Sequence, residues 1–408
     1  MRFNQLKSTL NTAILAVTIL LLGASTSFAQ SVSLTAGSSV AVLPDGQSVP
    51  MWGYSCTAAV APATCAAANL NAAGNWSPVV ITATPGSTLT ITLTNALPAP
   101  VAETSLVIVG QLGGGLGGAP TTTPSPAHNA QGATWPIAGP PGGGNATFNP
   151  PPQVARVQSF ATPATHGTPA TLTWAGLKPG TYLIQSGTHP SIQGTMGLYG
   201  VLVVTDTTTT PPTAYPVNGT KTGAVTYNSE VPLVLSEIDP IQNAAVALAV
   251  TLPGFSETTV WSGQPGGCGN PASTNAGNCY PPAVNYDPRY YLINGVALDR
   301  TNLSKSLFAA NPAAATGTTL VRIVNAGSRM HVPSMVGPAT GAVPGFSLIA
   351  EDGNVLPGVP RVQSEVFMAA GKTYDVMIDS PAAAKALPVF DRQLSLSSNN
   401  QRDGGMTA

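Results

Sequence analysis

The sequence predicts an all-β protein folded as two β-sandwiches in tandem. Three observations point there. Short runs rich in Val, Ile, Thr and Leu alternate with a period near two, punctuated by Gly, Pro and Asn. Gly (43) and Pro (39) make up a fifth of the 408 residues, a composition short of helix formers and rich in turn-makers. Helical patterning is confined to 240–250 (PIQNAAVALAV around its centre), with a shorter candidate near 304–310.

The first 29 residues read as an export leader. Arg2 and Lys7 give a positive start, 13–24 is an apolar stretch, and Ser27-Phe28-Ala29 places small residues where a signal peptidase cuts, before Gln30. That stretch is short for a mature anchor, and no later run approaches a membrane span. The first sandwich is expected over 30–205, with strands at 31–43, 78–97 (broken by a turn at Pro85-Gly86), 104–110, 170–177 and 198–205. A Gly/Pro-rich insertion at 111–155 interrupts it and reads as a loop. Residues 206–220 (DTTTTPPTAYPVNGT) read as a semi-rigid linker. The second sandwich is expected over 221–387, with strands at 224–238, 290–298, 318–327, 345–356 and 362–380 and a hairpin tip at Asp352-Gly353-Asn354. Residues 388–408 read as a polar tail with no closing strand.

Charge excludes several functions. Fifteen Lys and Arg against 16 Asp and Glu make 8% of the chain, with net charge -1, where a soluble domain carries about 25% charged residues. There is no basic footprint for nucleic acid and no polybasic patch for a membrane surface. The four cysteines suit an oxidising compartment. Three pairings are formally open; the local pairs Cys56 with Cys65 and Cys268 with Cys279 are favoured, because each closes a small loop and the two pairs lie far apart. Zinc would need CxxC-like spacing with nearby His, which the sequence lacks.

Several segments, in order, resemble the multicopper oxidases. In the first half these are VPMWGYSC (49–56), TPGSTLTITLTNALP (84–98) and KPGTYLIQSGTHPSIQGTMGLYGVLVV (178–204). In the second they are YLINGVALD (291–299), LVRIVNAGSRMHVPS (320–334), LIAEDGNVLPGV (348–359) and GKTYDVMID (371–379). The resemblance implies two cupredoxin-like Greek-key sandwiches, copper as cofactor, and oxidation of phenols, metal ions or similar donors with O2 as acceptor. It also implies that the sequence ends before the family's last domain, which brings its His-Cys-His.

The ligand motifs are degenerate. The family's first His-x-His falls on Val107 and Val109, and valine has no lone pair to offer a metal. Its His-Ser-His falls on Gln185-Ser186-Gly187, with His189 two residues beyond as the candidate metal ligand. The four His (128, 166, 189, 331) are scattered, with no His-x-His anywhere. A blue-copper reading of Ser186-Gly187-Thr188-His189 with Met196 has serine where a thiolate is required. A weak site at His189 and Met196, helped by Met330, His331 or Met335, stands against the plainer reading of hydrogen-bonded His and core-filling Met.

Other signals are weaker. Gly113-x-Gly115-x-x-Gly118 matches a dinucleotide fingerprint but opens no helix. Glu237/Asp239 and Glu351/Asp352 are close acidic pairs, read as solvated carboxylates rather than a glycosidase dyad. Arg322, Arg329 and Lys372 read as solvated or structural. Two functions are therefore expected. One is an exported multicopper-oxidase-like protein whose copper is not retained and which does not reduce O2 alone. The other is a non-catalytic cell-surface or matrix module with a surface or matrix partner.

Overall fold

The computed structural model describes residues 29–70, 75–99, 101, 103–124, 131–132, 147–148, 154–217, 223–253, 255, 286–308, 316–381, 385–399 and 404–408. The leader up to residue 28, His128 and most of the 111–155 insertion lie outside the described residues. So do Cys268 and Cys279, the second pair expected to form a disulfide.

Three main layers stack on one another. The first is a four-stranded sheet in the order Ala170–Trp174, Thr88–Ala96, Ala29–Val42, Ser48–Val60. The second has five strands in the order Thr64–Ala67, Val79–Ala83, Tyr199–Val204, Gly180–Gln185, Val107–Ile108. The third has seven, with Tyr290–Ile293, Ser229–Ile238, Thr318–Asn325, Thr373–Asp379 and Phe346–Glu351 running across it. Parallel pairs within each sheet (29–42 with 88–96, 199–204 with 79–83, 229–238 with 318–325) mark the crossovers between layers.

Burial patterns explain the sequence patterns. Thr88–Ala96 alternates because Leu89, Ile91 and Leu93 face the first core while the threonines between them face out. Tyr199–Val204 is buried at every position because both faces of its sheet are covered. Leu202 and Val204 pack into the first sandwich with Ile81, Ile91 and Trp174. Tyr199, Val201 and Val203 pack onto Val234, Ile238, Leu292 and Val324 of the second domain. A sheet covered on both sides needs a continuous apolar strand, and YGVLVV supplies one.

Several elements differ from expectation. The strand expected at 104–110 is two short pieces, Glu103–Thr104 and Val107–Ile108, with a turn beginning at Val109. The helix at Pro240–Ala249 forms as expected: Asp239 caps it by accepting the Ile241 and Gln242 N–H groups at 2.9 and 3.1 Å, and Pro240 fills the first turn. The candidate near 304–310 is only a 3-10 turn, Leu303–Ser306. The expected hairpin tip holds, with Asp352 and Gly353 at φ 49° and 71° joining Phe346–Glu351 to Asn354–Val355. Gly113–Gly118 forms turns, not a helix start, and Gly113 and Gly114 lie against Trp174 where a side chain would not fit.

The expected semi-rigid linker at 206–220 and the expected polar tail at 388–408 both carry short strands. Within 206–220, Thr213–Tyr215 pairs with Val225–Thr226, and Tyr215 is buried. In 388–408, Val389–Asp391 pairs with Pro333–Met335, Phe390 bridges Thr407, and Met406 is fully buried in the second core. Strands of three residues are too short to leave a periodicity that sequence reading can detect.

Candidate functional site

Val107 and Gln185 are direct cross-strand partners, and Ile108 faces Ile184 beside them. Directly opposed residues of an antiparallel pair project to the same side. A Cβ added to Gly187 would meet Val107 Cγ2 at 2.6 Å. Three positions on which the family motifs fall, 107, 185 and 187, therefore converge on one spot. They hold an isopropyl group, an amide and no side chain at all.

Beneath them lies a closed network of buried hydroxyls and amides. Thr188 Oγ1 is 2.9 Å from both Ser105 Oγ and Ser159 Oγ, and the Gly187 N–H donates to Ser105 Oγ at 3.1 Å. Ser186 Oγ and Thr104 Oγ1 donate to Gln193 Oε1 at 2.7 and 2.8 Å, and Gln193 Nε2 donates to the Glu103 carbonyl at 2.8 Å. The Tyr54 hydroxyl donates to the Ser105 carbonyl at 2.7 Å; burial pushes its titration far upward, so it stays neutral. Buried polar groups must be partnered, and here they partner one another.

Copper fits this site poorly. Imidazole and thiolate are the donors that bind it tightly, whereas neutral hydroxyls are hard and reluctant to ionise. The hydroxyls here already serve one another. Among the described residues no group of three or more His, Cys, Asp or Glu side chains is placed to hold a metal ion.

The histidines are dispersed. His189 sits at the N-cap of the short helix Pro190–Gln193 in a left-handed conformation (φ 39°, ψ 60°), its carbonyl receiving the Ile192 and Gln193 N–H groups. Thr188, the residue before it, turns into the hydroxyl network. Met196 is fully buried in the first core, Met335 lies in the second, and Met330 is half exposed. His166 is exposed at the edge of the first sandwich, bridging Asn95.

His331 is fully buried between two carboxylates. Its Nδ1 is 2.9 Å from Asp391 Oδ2 and its Nε2 is 3.2 Å from Glu237 Oε2. Burial disfavours the imidazolium, but the hydrogen bonds to Asp391 and Glu237 and their charges outweigh it and raise His331 to about 9. Glu237 also accepts the Ser328 and Arg329 N–H groups at 2.6 and 2.9 Å. The expectation of a solvated Glu237/Asp239 pair is thus corrected: both are buried, one holding this cluster and one capping a helix. Glu351 and Asp352 are partly exposed, and Lys372 bridges them.

Arg322 is likewise not solvated. It is fully buried at the seam between the domains, its Nε 2.7 Å from Glu230 and its Nη1 3.0 Å from Asp375. Asp375 also accepts from Thr181 and Tyr215, at 2.5 and 2.6 Å, tying the second domain to the first. Neither charged cluster could be found from sequence, because their members are far apart in the chain and no one motif brings them together.

Of the two expected disulfides, Cys56 and Cys65 are bonded, joining the strand Ser48–Val60 to Thr64–Ala67. Cys268 and Cys279 lie outside the described residues.

No protein-family model and no curated protein matches the sequence. Solved structures do match. The copper nitrite reductase of Nitrosomonas europaea aligns at 12% identity and TM-score 0.50, covering 93% of this chain and 93% of that one. Fet3p, a multicopper oxidase that functions in iron import, aligns at 14% identity and TM-score 0.50, over 93% of this chain and 51% of its own. A blue copper oxidase from Nitrosomonas europaea aligns at 16% identity and TM-score 0.49, over 93% of this chain and 84% of that one. At these identities the first two likenesses establish architecture alone: this chain has the all-β fold of tandem cupredoxin-like sandwiches seen in multicopper oxidases and copper nitrite reductase.

Proposed function

We propose that this chain is an exported cupredoxin-type double sandwich that works without a redox copper centre, as a non-catalytic binding or structural module at a cell surface or in an extracellular matrix. One observation carries the reading. Three of the four positions on which the ligand motifs fall converge, yet they present Val107, Gln185 and Gly187 above a self-satisfied hydroxyl network, while Val109 lies in the adjoining turn, exposed. A convergent site stripped of its imidazoles preserves the scaffold while removing the chemistry. Export is supported by the leader-like start of the sequence and by the Cys56–Cys65 disulfide. Among the described residues no helix is long and apolar enough to cross a membrane.

The competing reading, copper-dependent oxidoreduction with O2 as acceptor, is supported by fold alone. The test is to express the full sequence with copper supplied, isolate the exported protein, and measure metal content and oxidation of phenolic donors. The expected result is no stoichiometric copper and no donor turnover above a buffer control. Stoichiometric copper with turnover would overturn the proposal.

A further inference from the structure

The proposed function makes no use of the Glu237–His331–Asp391 cluster. Its three side chains are fully buried and come from three separate segments. Glu237 lies near the end of Ser229–Ile238, His331 just before Pro333–Met335, and Asp391 at the end of Val389–Asp391 in the C-terminal segment. The second oxygen of each carboxylate is also engaged. Glu237 Oε1 takes the Ser328 and Arg329 N–H groups, and Asp391 Oδ1 takes those of Val332 and Gln393 at 2.8 and 3.0 Å. Tyr291 presents its ring edge-on to His331. Around Glu237 stand Arg329 and Tyr286, with Asp239 and Asp287 farther out.

An imidazolium has two N–H donors and can serve both carboxylates; a neutral imidazole has one and can serve only one. Once the proton leaves to solvent, one buried carboxylate faces a nitrogen lone pair at hydrogen-bond distance. That carboxylate keeps its backbone N–H donors but loses its charged partner, and a buried charge deprived of its counter-charge is strongly destabilising. Beside Asp391 the segment is held by the pairing of Val389–Asp391 with Pro333–Met335, the Arg392–Glu365 ion pair and the burial of Val389 and Met406 in the second core. Farther along, Ser398 bridges Tyr290, the Asn399 N–H donates to the Arg289 carbonyl and Gly405 accepts the Leu298 N–H.

We propose that Asp391–His331–Glu237 is a proton-dependent clasp that fastens the strand Val389–Asp391 and the residues beside it to the second domain and loosens when His331 loses its proton. Loosening uncovers the apolar cluster of Met335, Val366 and Met368 beneath it. Because hydrogen bonding to the carboxylates raises His331 to about 9, the clasp is closed at neutral pH and loosens on the alkaline side.

The test is amide hydrogen exchange on the full protein at pH about 7 and about 10, corrected for intrinsic rates. The reporters are Arg392 and Val336, whose N–H groups donate across the joint to the Val332 and Pro388 carbonyls at 2.9 and 2.8 Å, with Leu202 of the middle sheet as reference. Protection at the reporters should fall at least about tenfold relative to Leu202 on going to the higher pH. In His331→Gln, which does not titrate, the reporters should show no pH response; Asp391→Asn, which spares a lone neutral ring, should show a smaller one. Unchanged protection of the wild-type segment, an equal loss at Leu202, or a pH response that survives in His331→Gln would each overturn the clasp.

Discussion

Val107 and Gln185 face each other directly across two strands of the middle sheet, with Gly187 close beside Val107. The backbone brings together positions at which the sequence resemblance would place ligands, and none of the side chains there is a metal donor of the imidazole or thiolate kind. The backbone should therefore accept imidazoles at these positions. Opposed Cβ atoms lie about 4.5–5.5 Å apart, within chelating reach for two imidazoles. The double substitution Val107→His/Gln185→His is expected to bind Cu(II) or Zn(II) where the wild-type pair does not. At metal about a hundredfold above Kd, linkage predicts about 2.7 kcal/mol of added stability. Thermal unfolding with and without metal checks this; a melting temperature insensitive to metal would mean the positions do not converge as described.

Arg322 carries a second prediction. Its guanidinium is wholly buried, and burial alone would disfavour its charge; Glu230 and Asp375 reverse that and push its titration far up. Removing one partner strands a buried charge, which costs about 3–5 kcal/mol. Asp375→Ala should therefore destabilise strongly, and it also removes the acceptor for Thr181 and Tyr215. Arg322→Met with Asp375→Leu and Glu230→Gln, which strands no charge, should recover much of the loss. Urea unfolding of the two variants provides the comparison; equal destabilisation would mean the charges matter only as packing volume.

What the sequence discloses follows from how many faces of an element meet water. Thr88–Ala96 is legible because threonine and leucine alternate across one core face and one outer face. Tyr199–Val204 is legible as a strand, but its unbroken apolar run does not say that a second domain covers its far side. Val107 and Gln185 can be singled out in the sequence only through the order of the motifs around them. The network of Ser105, Ser159 and Thr188 is not legible, since hydroxyl residues are mostly surface residues and nothing local distinguishes buried ones. His331, Glu237 and Asp391 meet only after the third sheet and the C-terminal segment have folded together.

The pH dependence of stability should carry the mark of that cluster on both sides of neutrality. His331 is raised from 6.5 to about 9, so its contribution is complete below about 6.5 and is lost as pH climbs through about 9. The shift corresponds to on the order of 3 kcal/mol. For Asp391, burial works against the carboxylate, but the His331 hydrogen bond and the Val332 N–H hold it below 3.8. Its contribution is present above that value and is lost as pH falls through the folded-state value. Melting temperature against pH should accordingly decline on both flanks, and His331→Gln should flatten the alkaline flank. An alkaline decline as steep in His331→Gln as in the wild type would locate its origin elsewhere.

The middle sheet makes a last prediction, because it belongs to two cores at once. Leu202 and Val204 complete the first core, while Val201 and Val203, on the same strand, complete the interface with the second domain. Neither domain can lose this strand without exposing apolar surface in the other. The two should therefore melt together, with the calorimetric enthalpy matching the van't Hoff enthalpy. Val201 is fully buried, and burying such a side chain contributes about 1.5–3 kcal/mol. Val201→Ala should lower the single transition by a sizeable part of that without splitting it. Val201→Asp, which forces an unpaired charge into the seam, should uncouple the domains and give two calorimetric peaks. Two peaks in the unmodified protein would mean that the shared strand does not make the domains cooperative.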